Sequence, residues 1–426
     1  MCCPKLFYSA PIAHFFSLNH NVCLFEFDVQ ARNQYECPTS FQMEKAMQTR
    51  HRLHFGDARK MKAIGANSVD LVVTSPPYPM IQMWDALFTR LDPTVAKALT
   101  QNRGMVAFER MHAALDPVWA EVHRVLKPGG IACINIGDAV RKIGDDFMLY
   151  PNHARILSRM LTTGFQPLPL ILWRKPTNAP NKFMGSGMLP PGAYVTLEHE
   201  HILILRKGAK RDFSAAEDKQ RRRESAFFWE ERNTWFSDVW MGLIGATQRL
   251  ADNGIRKRSA AFPFELPYRL INMFSVKGDL VLDPFLGIGT TLFAAMATGR
   301  NGIGIELETD FRETVAGSLS ALTAIAHRRL SDRLTNHLEF VEQRTAAGRP
   351  IKHRNRLYGF PVMTRQEIEL VFHRPKTVSQ TADDAFLIDY DIFQLDDCRR
   401  PQPPLTEKRP SPMQRRTRPS QGLLFE

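Results

Sequence analysis

The sequence predicts an α/β protein built on a doubly wound, mostly parallel sheet. Three observations carry that expectation. Short apolar runs recur along the chain (71–73, 131–136, 168–173, 201–205, 280–283), and runs of this length suit buried strands rather than free-standing helices. Between them lie stretches with helical apolar spacing, as at Val118, Trp119, Val122, Val125 and Leu126. Several strand ends run straight into glycine, proline or a carboxylate: Gly56-Asp57, Ser75-Pro76, Gly137-Asp138 and Asp283-Pro284. Strands alternating with helices imply a sheet covered on both faces, with ligands collecting outside the carboxyl ends of the strands.

Composition narrows the class. The 426 residues are ample for one large domain or two. Apolar content of 44% and charged content of 23% are those of a soluble protein, and no apolar run approaches a membrane span. The net charge of +12 favours a polyanionic partner, nucleic acid ahead of an anionic membrane. Six cysteines (Cys2, Cys3, Cys23, Cys37, Cys133, Cys398) form no CxxC pair and no zinc-spaced Cys/His cluster. We therefore expect free thiols in a reducing cytoplasm and no metal.

Taken in order, residues 1–42 lack both a sustained period and the layout of a signal peptide, and are expected to form a poorly ordered extension. A short strand over 52–55 leads to Gly56-Asp57-Ala58, then a helix or turn over 59–66. The strand beginning at Val69 ends in Ser75-Pro76-Pro77-Tyr78. Two prolines fix their own φ, remove two amide donors and hold their predecessors extended. This stiff corner offers a hydroxyl, carbonyls without a competing amide and an aromatic face, parts that suit a planar, amino-bearing ring. Residues 84–110 read as a mobile cap. A helix over 116–126 is stopped by Lys127-Pro-Gly-Gly130, and the strand 131–136 follows. A helix over 150–163, a strand over 168–173, a loop-rich stretch over 176–194 and a strand over 201–205 complete this half. The charged segment 206–231 reads as an excursion from the sheet. Trp235 and Trp240 of WFSDVW read as core, and His153, His199 and His201 as core or surface histidines. Beyond 316 come a helical stretch and β-like runs at 367–372 and 385–390. The basic, proline-rich residues 401–426 are expected to be disordered.

The second chemical signal is Asp283-Pro-Phe-Leu-Gly-Ile-Gly-Thr-Thr291, between a strand (280–283) and a helix (290–298). Gly287 and Gly289 allow close approach of a ligand to the backbone. Glu306 ends the next strand about 20 residues on, where a ribose diol is held in doubly wound folds. The spacing is not GxGxxG and no GKS/T follows, so neither a pyrophosphate nor a triphosphate is indicated. A cofactor with a ribose and no phosphate fits, and S-adenosyl-L-methionine is such a molecule.

With SPPY placed ahead of strand–DPFxGxGTT–helix–strand–Glu, the chain resembles the amino-group DNA methyltransferases of the permuted β class, over residues 52–311. The resemblance implies a Rossmann-like methyltransferase fold. Its domain would span 43–315, with DNA-recognition insertions within 176–234, a further region of unassigned role over 316–400 and a tail over 401–426. It implies that Asp283, Phe285, Gly287 and Gly289, together with Thr290, line the methionine end of the cofactor, and that Glu306 holds the ribose. Asp57 would hold the adenine amino group, and Phe262-Pro263, in AAFPFELPYRLI, would pack over the methionine moiety.

Catalysis would fall to Ser75, Pro76, Pro77 and Tyr78. The Ser75 hydroxyl and Pro76 carbonyl would accept hydrogens of the target amine, and Tyr78 would stack on a base flipped out of duplex DNA. No metal is required. In this family SPPY accompanies N4-cytosine methylation and DPPY N6-adenine methylation, so cytosine is favoured and adenine is the alternative. An RNA methyltransferase or an inactive DNA-binding protein is a remoter reading. The setting implied is a bacterial restriction–modification system, in the cytoplasm at the nucleoid. The basic run 206–223 would track phosphates, and Gln421-Gly-Leu-Leu-Phe425 resembles peptides that bind the bacterial sliding clamp.

Overall fold

Ten strands form one sheet in the computed structural model, which describes residues 47–175, 184–185, 187–243 and 262–399. The expected N-terminal extension, much of the loop 176–194, the basic tail and the clamp-like peptide lie outside the described residues. The strands are β1 (Met47–Phe55), β2 (Val69–Thr74), β3 (Leu126–Ile136), β4 (Phe165–Arg174), β5 (His199–Lys207), β6 (Val239–Trp240), β7 (Leu280–Asp283), β8 (Asn301–Glu306), β9 (His373–Ala382) and β10 (Ala385–Ile392). Their order across the sheet is β6-β4-β5-β3-β2-β7-β8-β1-β10-β9. The central five, β3-β2-β7-β8-β1, are parallel. Antiparallel pairs flank them on both sides. The carboxyl ends Phe55, Thr74, Ile136, Asp283 and Glu306 therefore open onto one edge.

Strand β2 is buried at every position, as a central strand covered on both faces must be. Its side chains alternate between two cores. Leu71 and Val73 join Leu266, Ile271, Leu292 and Val281 on one face. Val72 joins Trp119, Val122, Ile134 and Leu282 on the other.

The segment expected to be a mobile cap is helical: α1 (Asp85–Leu91), α2 (Thr94–Thr100) and the first half of α3 (Gly104–Val125). Phe88, Val95, Ala98, Phe108 and Met111 are buried there, at spacings that interleaved charge had obscured. The Lys127-Pro-Gly-Gly130 stop lies inside β3. Gly129 sits at φ +81°, and a Cβ there would stand 2.6 Å from the Arg211 backbone. A two-stranded hairpin over 139–150, absent from the sequence reading, precedes α4 (Asn152–Thr163). The charged excursion holds α5 (Ala216–Glu224) and α6 (Trp229–Trp235). Helices α7 (Glu265–Phe274), α8 (Thr290–Ala297), α9 (Phe311–Ser318) and α10 (Leu322–Ala346) complete the set.

The sheet does not end near residue 315. Strand β10 pairs with β1, and β9 lies outside it. The run 367–372, expected as a strand, is buried irregular chain held by Asn355, whose Nδ2 donates to the carbonyls of Glu367 and Leu370. At the outer edge, β9 breaks register at Pro375/Thr377 and again at Gln380/Ala382. Two contacts tie this region inward. The Tyr390 hydroxyl donates to the Met296 carbonyl at 2.6 Å, and Thr49 Oγ1 lies 2.9 Å from the same hydroxyl oxygen. Buried Arg333 of α10 forms a two-pronged ion pair with Glu231 of α6 at 2.6 and 2.7 Å. Tyr390→Phe is expected to cost about 1–2 kcal/mol, because it removes the buried hydrogen bonds of the hydroxyl to the Met296 carbonyl and Thr49. Urea denaturation checks this.

Candidate functional site at the carboxyl edge of the sheet

Strands β2 and β7 are neighbours, so the two chemical segments meet at their carboxyl ends. Thr74 Oγ1 donates to Asp283 Oδ1 at 2.6 Å, joining residues 209 positions apart. Thr291 Oγ1 adds a bond to the Val73 carbonyl at 3.3 Å. The proline corner and the glycine loop thus lie side by side at one edge of the sheet.

Buried Asp283 also accepts the Phe285 N–H at 3.0 Å. Burial pushes its pKa up to about 6, against the lowering effect of bonds from Thr291, Thr74 and the Phe285 amide. Gly287 sits at φ +54°, and a Cβ built there meets nothing within 4 Å, so the space above it is open. Its N–H donates to Glu306 Oε2 at 2.7 Å, while the Glu308 N–H reaches Oε1 at 3.0 Å. Burial raises the Glu306 pKa against these bonds.

Gly289, at φ +87°, caps α8, of which Thr290 is the first residue. A Cβ on Gly304 would come within 2.5 Å of Leu286, so that glycine seats the loop on the sheet. Phe285 rests edge-on to Trp119 with centroids 6.0 Å apart. Phe262 is buried with Leu71, Val73 and Leu286, and Pro263 is half-buried at the start of α7. At the end of β1, Arg59 Nε reaches both Asp57 oxygens, at 3.0 and 2.8 Å. Burial raises the Asp57 pKa, but the Arg59 bonds and charge hold it below the usual range.

At the corner, Pro76 and Pro77 are buried while Ser75 and Tyr78 are half-buried. Ser75 Oγ donates to Tyr78 Oη at 3.1 Å, and Tyr78 donates to Glu200 Oε2 at 2.9 Å. Asn135 Nδ2 donates to Tyr78 Oη at 2.9 Å and to Glu200 Oε2 at 2.7 Å. Lys175 Nζ meets Glu200 Oε1 at 3.0 Å. Burial, and then the Glu200 charge, push the Tyr78 pKa well up. A Cβ on Gly137 would stand 3.0 Å from the Tyr78 ring. Asn152 Nδ2 bonds the carbonyls of Pro79 and Gly137, both at 3.0 Å, fixing the corner from behind.

Asn135, Asn152, Lys175 and Glu200 were not singled out from sequence. Their one signal is that Asn135 precedes the strand-ending Gly137-Asp138. Glu200 reaches the site only because β5 runs antiparallel and starts at this edge.

Asp138, His153 and His201 converge, with ligand-type atoms within 4.8 Å of one another. The sequence had shown no such grouping. His153 Nδ1 is paired with Asp138 at 2.7 Å, and the His153 and His201 rings stack 3.8 Å apart at 15°. Stacked rings point their in-plane lone pairs side by side, whereas metal ligands must converge on one point.

In the basic run, Lys207 is spent on the His123 and Leu126 carbonyls, Arg211 on Asp279, and Arg221 on Asp218. Lys210, Lys219, Arg222 and Arg223 remain exposed.

This sheet, with its carboxylate-rich glycine loop joined to a proline-stiffened corner, defines a Rossmann-like methyltransferase. The chain belongs to the N6/N4 DNA methylase family, whose model, described as DNA methylase, matches residues 69–316. It is 48% identical over 341 residues to the type II methyltransferase M.MthZI of Methanothermobacter thermautotrophicus, covering 80% of this chain and 95% of that protein. It is 50% identical over 278 residues to the type II methyltransferase M.MjaI of Methanocaldococcus jannaschii, covering 63% and 90%. TTHA0409 of Thermus thermophilus, assigned as a DNA modification methylase and solved with S-adenosyl-L-methionine, is 33% identical. The match covers 64% of this chain and 94% of that one, and superposes with a TM-score of 0.50.

Proposed function

We propose that the chain transfers a methyl group from S-adenosyl-L-methionine to N4 of cytosine in duplex DNA. The observation that carries this reading is the direction of the Ser75 bond. Its proton is given to Tyr78, so the lone pairs of Oγ stay free to accept at the corner. On this reading the chain is of the permuted β class, with the catalytic strand ahead of the cofactor strand in sequence and beside it in the sheet.

The residues at the strand ends fit the cofactor. Asp57, Asp283 and Glu306 lie at or just past the carboxyl ends of the neighbouring strands β1, β7 and β8, with Glu306 bonded to the Gly287 N–H, and carboxylates favour a ligand with cationic sulfur and amino groups. A phosphate would meet like charge there. Asp283, Phe285, Gly287, Gly289 and Thr290 would hold the methionine end, with Phe262 and Pro263 over it, Glu306 the ribose and Asp57 the adenine. Bound there, the cofactor supplies an electrophilic methyl group.

The protein's part in the chemistry is to hold the amine. An exocyclic amino group is conjugated with its ring and is a poor nucleophile. Accepting its hydrogens at Ser75 Oγ and the Pro76 carbonyl localises the lone pair as positive charge builds on nitrogen. Neither proline can offer a competing N–H. The base must leave the helix to reach the corner, where the half-buried Tyr78 ring offers it a stacking face. Within the basic run, exposed Lys210, Lys219 and Arg222 would meet phosphates, while Arg223 stands 3.6 Å from Glu369.

Nucleoside mass spectrometry of DNA from cells expressing the chain tests the reading. N4-methylcytosine is expected. N6-methyladenine in its place would reassign the base, and neither would remove the proposal. Ser75→Ala is expected to slow single-turnover transfer at least about tenfold, since the worth of one neutral hydrogen bond sets the floor.

A further inference from the structure

The hydrogen bonds of the proline corner run outward to a residue that the proposed mechanism does not use. Glu200 is only 12% exposed and its Oε2 accepts from both Tyr78 and Asn135. Asn135 is 2% exposed, and both its amide hydrogens are spent, one on Tyr78 and one on Glu200. Turning that amide round would set its oxygen against a carboxylate, so the donor orientation is the favoured one. Tyr78 Oη then accepts from Ser75 and from Asn135. With both acceptor positions filled, its own proton points at Glu200. The direction of the chain is set: Ser75 to Tyr78 to Glu200.

We propose that this chain of hydrogen bonds is the exit for the proton released from the methylated amine, with Glu200 as terminal acceptor and Asn135 as the positioning residue that gives the chain its direction. The inference rests on the amine-methyltransferase reading. As the amino nitrogen forms its bond to the methyl carbon, the carbon–sulfur bond breaks and its electron pair stays on sulfur. As that bond forms, the nitrogen becomes cationic and gives up a proton in the same step, in a corner whose prolines are buried. That proton passes to Ser75 Oγ, the Ser75 proton to Tyr78 Oη, and the Tyr78 proton to Glu200 Oε2. The products are a neutral methylated amine, an intact serine and tyrosine, and a protonated Glu200. Lys175 is 52% exposed and lies against the far oxygen of Glu200, marking the side from which the proton reaches solvent.

Glu200→Gln is the decisive variant, because glutamine can still accept the Tyr78 hydroxyl bond but cannot carry the proton away. Tyr78→Phe cuts the chain in the middle and keeps the ring. Single-turnover transfer at saturating DNA and cofactor is expected to fall about 100-fold in each, the range of one proton-transfer catalyst. The dissociation constants for DNA and cofactor should stay unchanged, and the slowed step should acquire a solvent deuterium isotope effect. The double variant should be no slower than either single one, since both cut one path. Glu200→Asp should recover part of the rate. A Glu200→Gln protein working at the wild-type rate, or losses that multiply in the double variant, would overturn the relay and leave the methyltransferase reading intact. A wild-type protein that methylates no exocyclic amine would overturn both.

Discussion

Asp283→Asn is expected to weaken S-adenosyl-L-methionine binding about 100-fold, the worth of a charge-assisted bond in a buried setting, and to abolish its pH dependence. The carboxyl is buried and its pKa lies near 6, so it is substantially protonated in mildly acid solution. A cationic ligand beside it favours the ionised form. Below pH 6 the carboxyl must give up a proton on binding, and affinity should fall toward tenfold per pH unit. Above pH 6 affinity should be flat. Asparagine retains an oxygen for Thr74 and the Phe285 amide, so the loop should keep its shape. Stability responds with the opposite sign. Because the folded pKa exceeds the ordinary 3.8, the folded chain binds the proton more tightly than the unfolded one. This stabilisation is complete below about pH 4 and is lost as pH rises through 6. Asp283→Asn should therefore melt no lower than wild type at neutral pH. Calorimetric titration at several pH values, with thermal melts, checks both parts. Wild-type affinity in the variant would remove Asp283 from the cofactor site.

Arg333→Ala is expected to lower stability by about 3–5 kcal/mol, the cost of stranding one member of a buried ion pair. Burial works against the charge of Arg333, but Glu231 and the Tyr268 hydroxyl raise its pKa despite it. The guanidinium also lies over the rings of Trp235 and Phe372, at 5.3 and 4.8 Å. Removing it leaves Glu231 without its counter-charge. The joint apolar replacement Arg333→Met with Glu231→Leu should recover most of the loss, because neither charge is then buried alone. Urea denaturation of the three variants decides this. Partial unfolding confined to α10 in Arg333→Ala would show that residues 322–346 brace the aromatic segment 235–240 from outside.

The two segments proposed to bear the chemistry were the most legible in the sequence, and for one reason. Strands β2 and β7 are buried on both faces and read as unbroken apolar runs, ended by residues that force a turn. The strand at 385–390 was legible too, but its partner β9 was not. That strand is largely exposed and spells HRPKTVSQTA, with no apolar alternation to betray it. The apolar run before it, 367–372, is buried by side-chain hydrogen bonding instead, which period counting does not detect. The helices of 84–110 were hidden by charge on their outer faces, and the helix does end just before Lys127-Pro-Gly-Gly130, but β3 begins at Leu126 rather than at Ile131. The least legible residues were Glu200 and Lys175. Nothing local marks them, since they reach the corner through antiparallel pairings of β5 with β3 and β4. Of the expected phosphate-tracking run, several cations proved to be internal struts, a fate that composition does not foretell.

The outermost strand on the C-terminal side has a consequence for life at high local concentration. A row of free amides and carbonyls is a template on which a foreign chain can dock and aggregation can start. Strand β9 spoils that template twice, by its two breaks in register and by a proline that has no amide to offer. Lys376 beside that proline adds charge at the rim. Copies crowded along one stretch of polymer can thus brush past each other at this margin without zipping together.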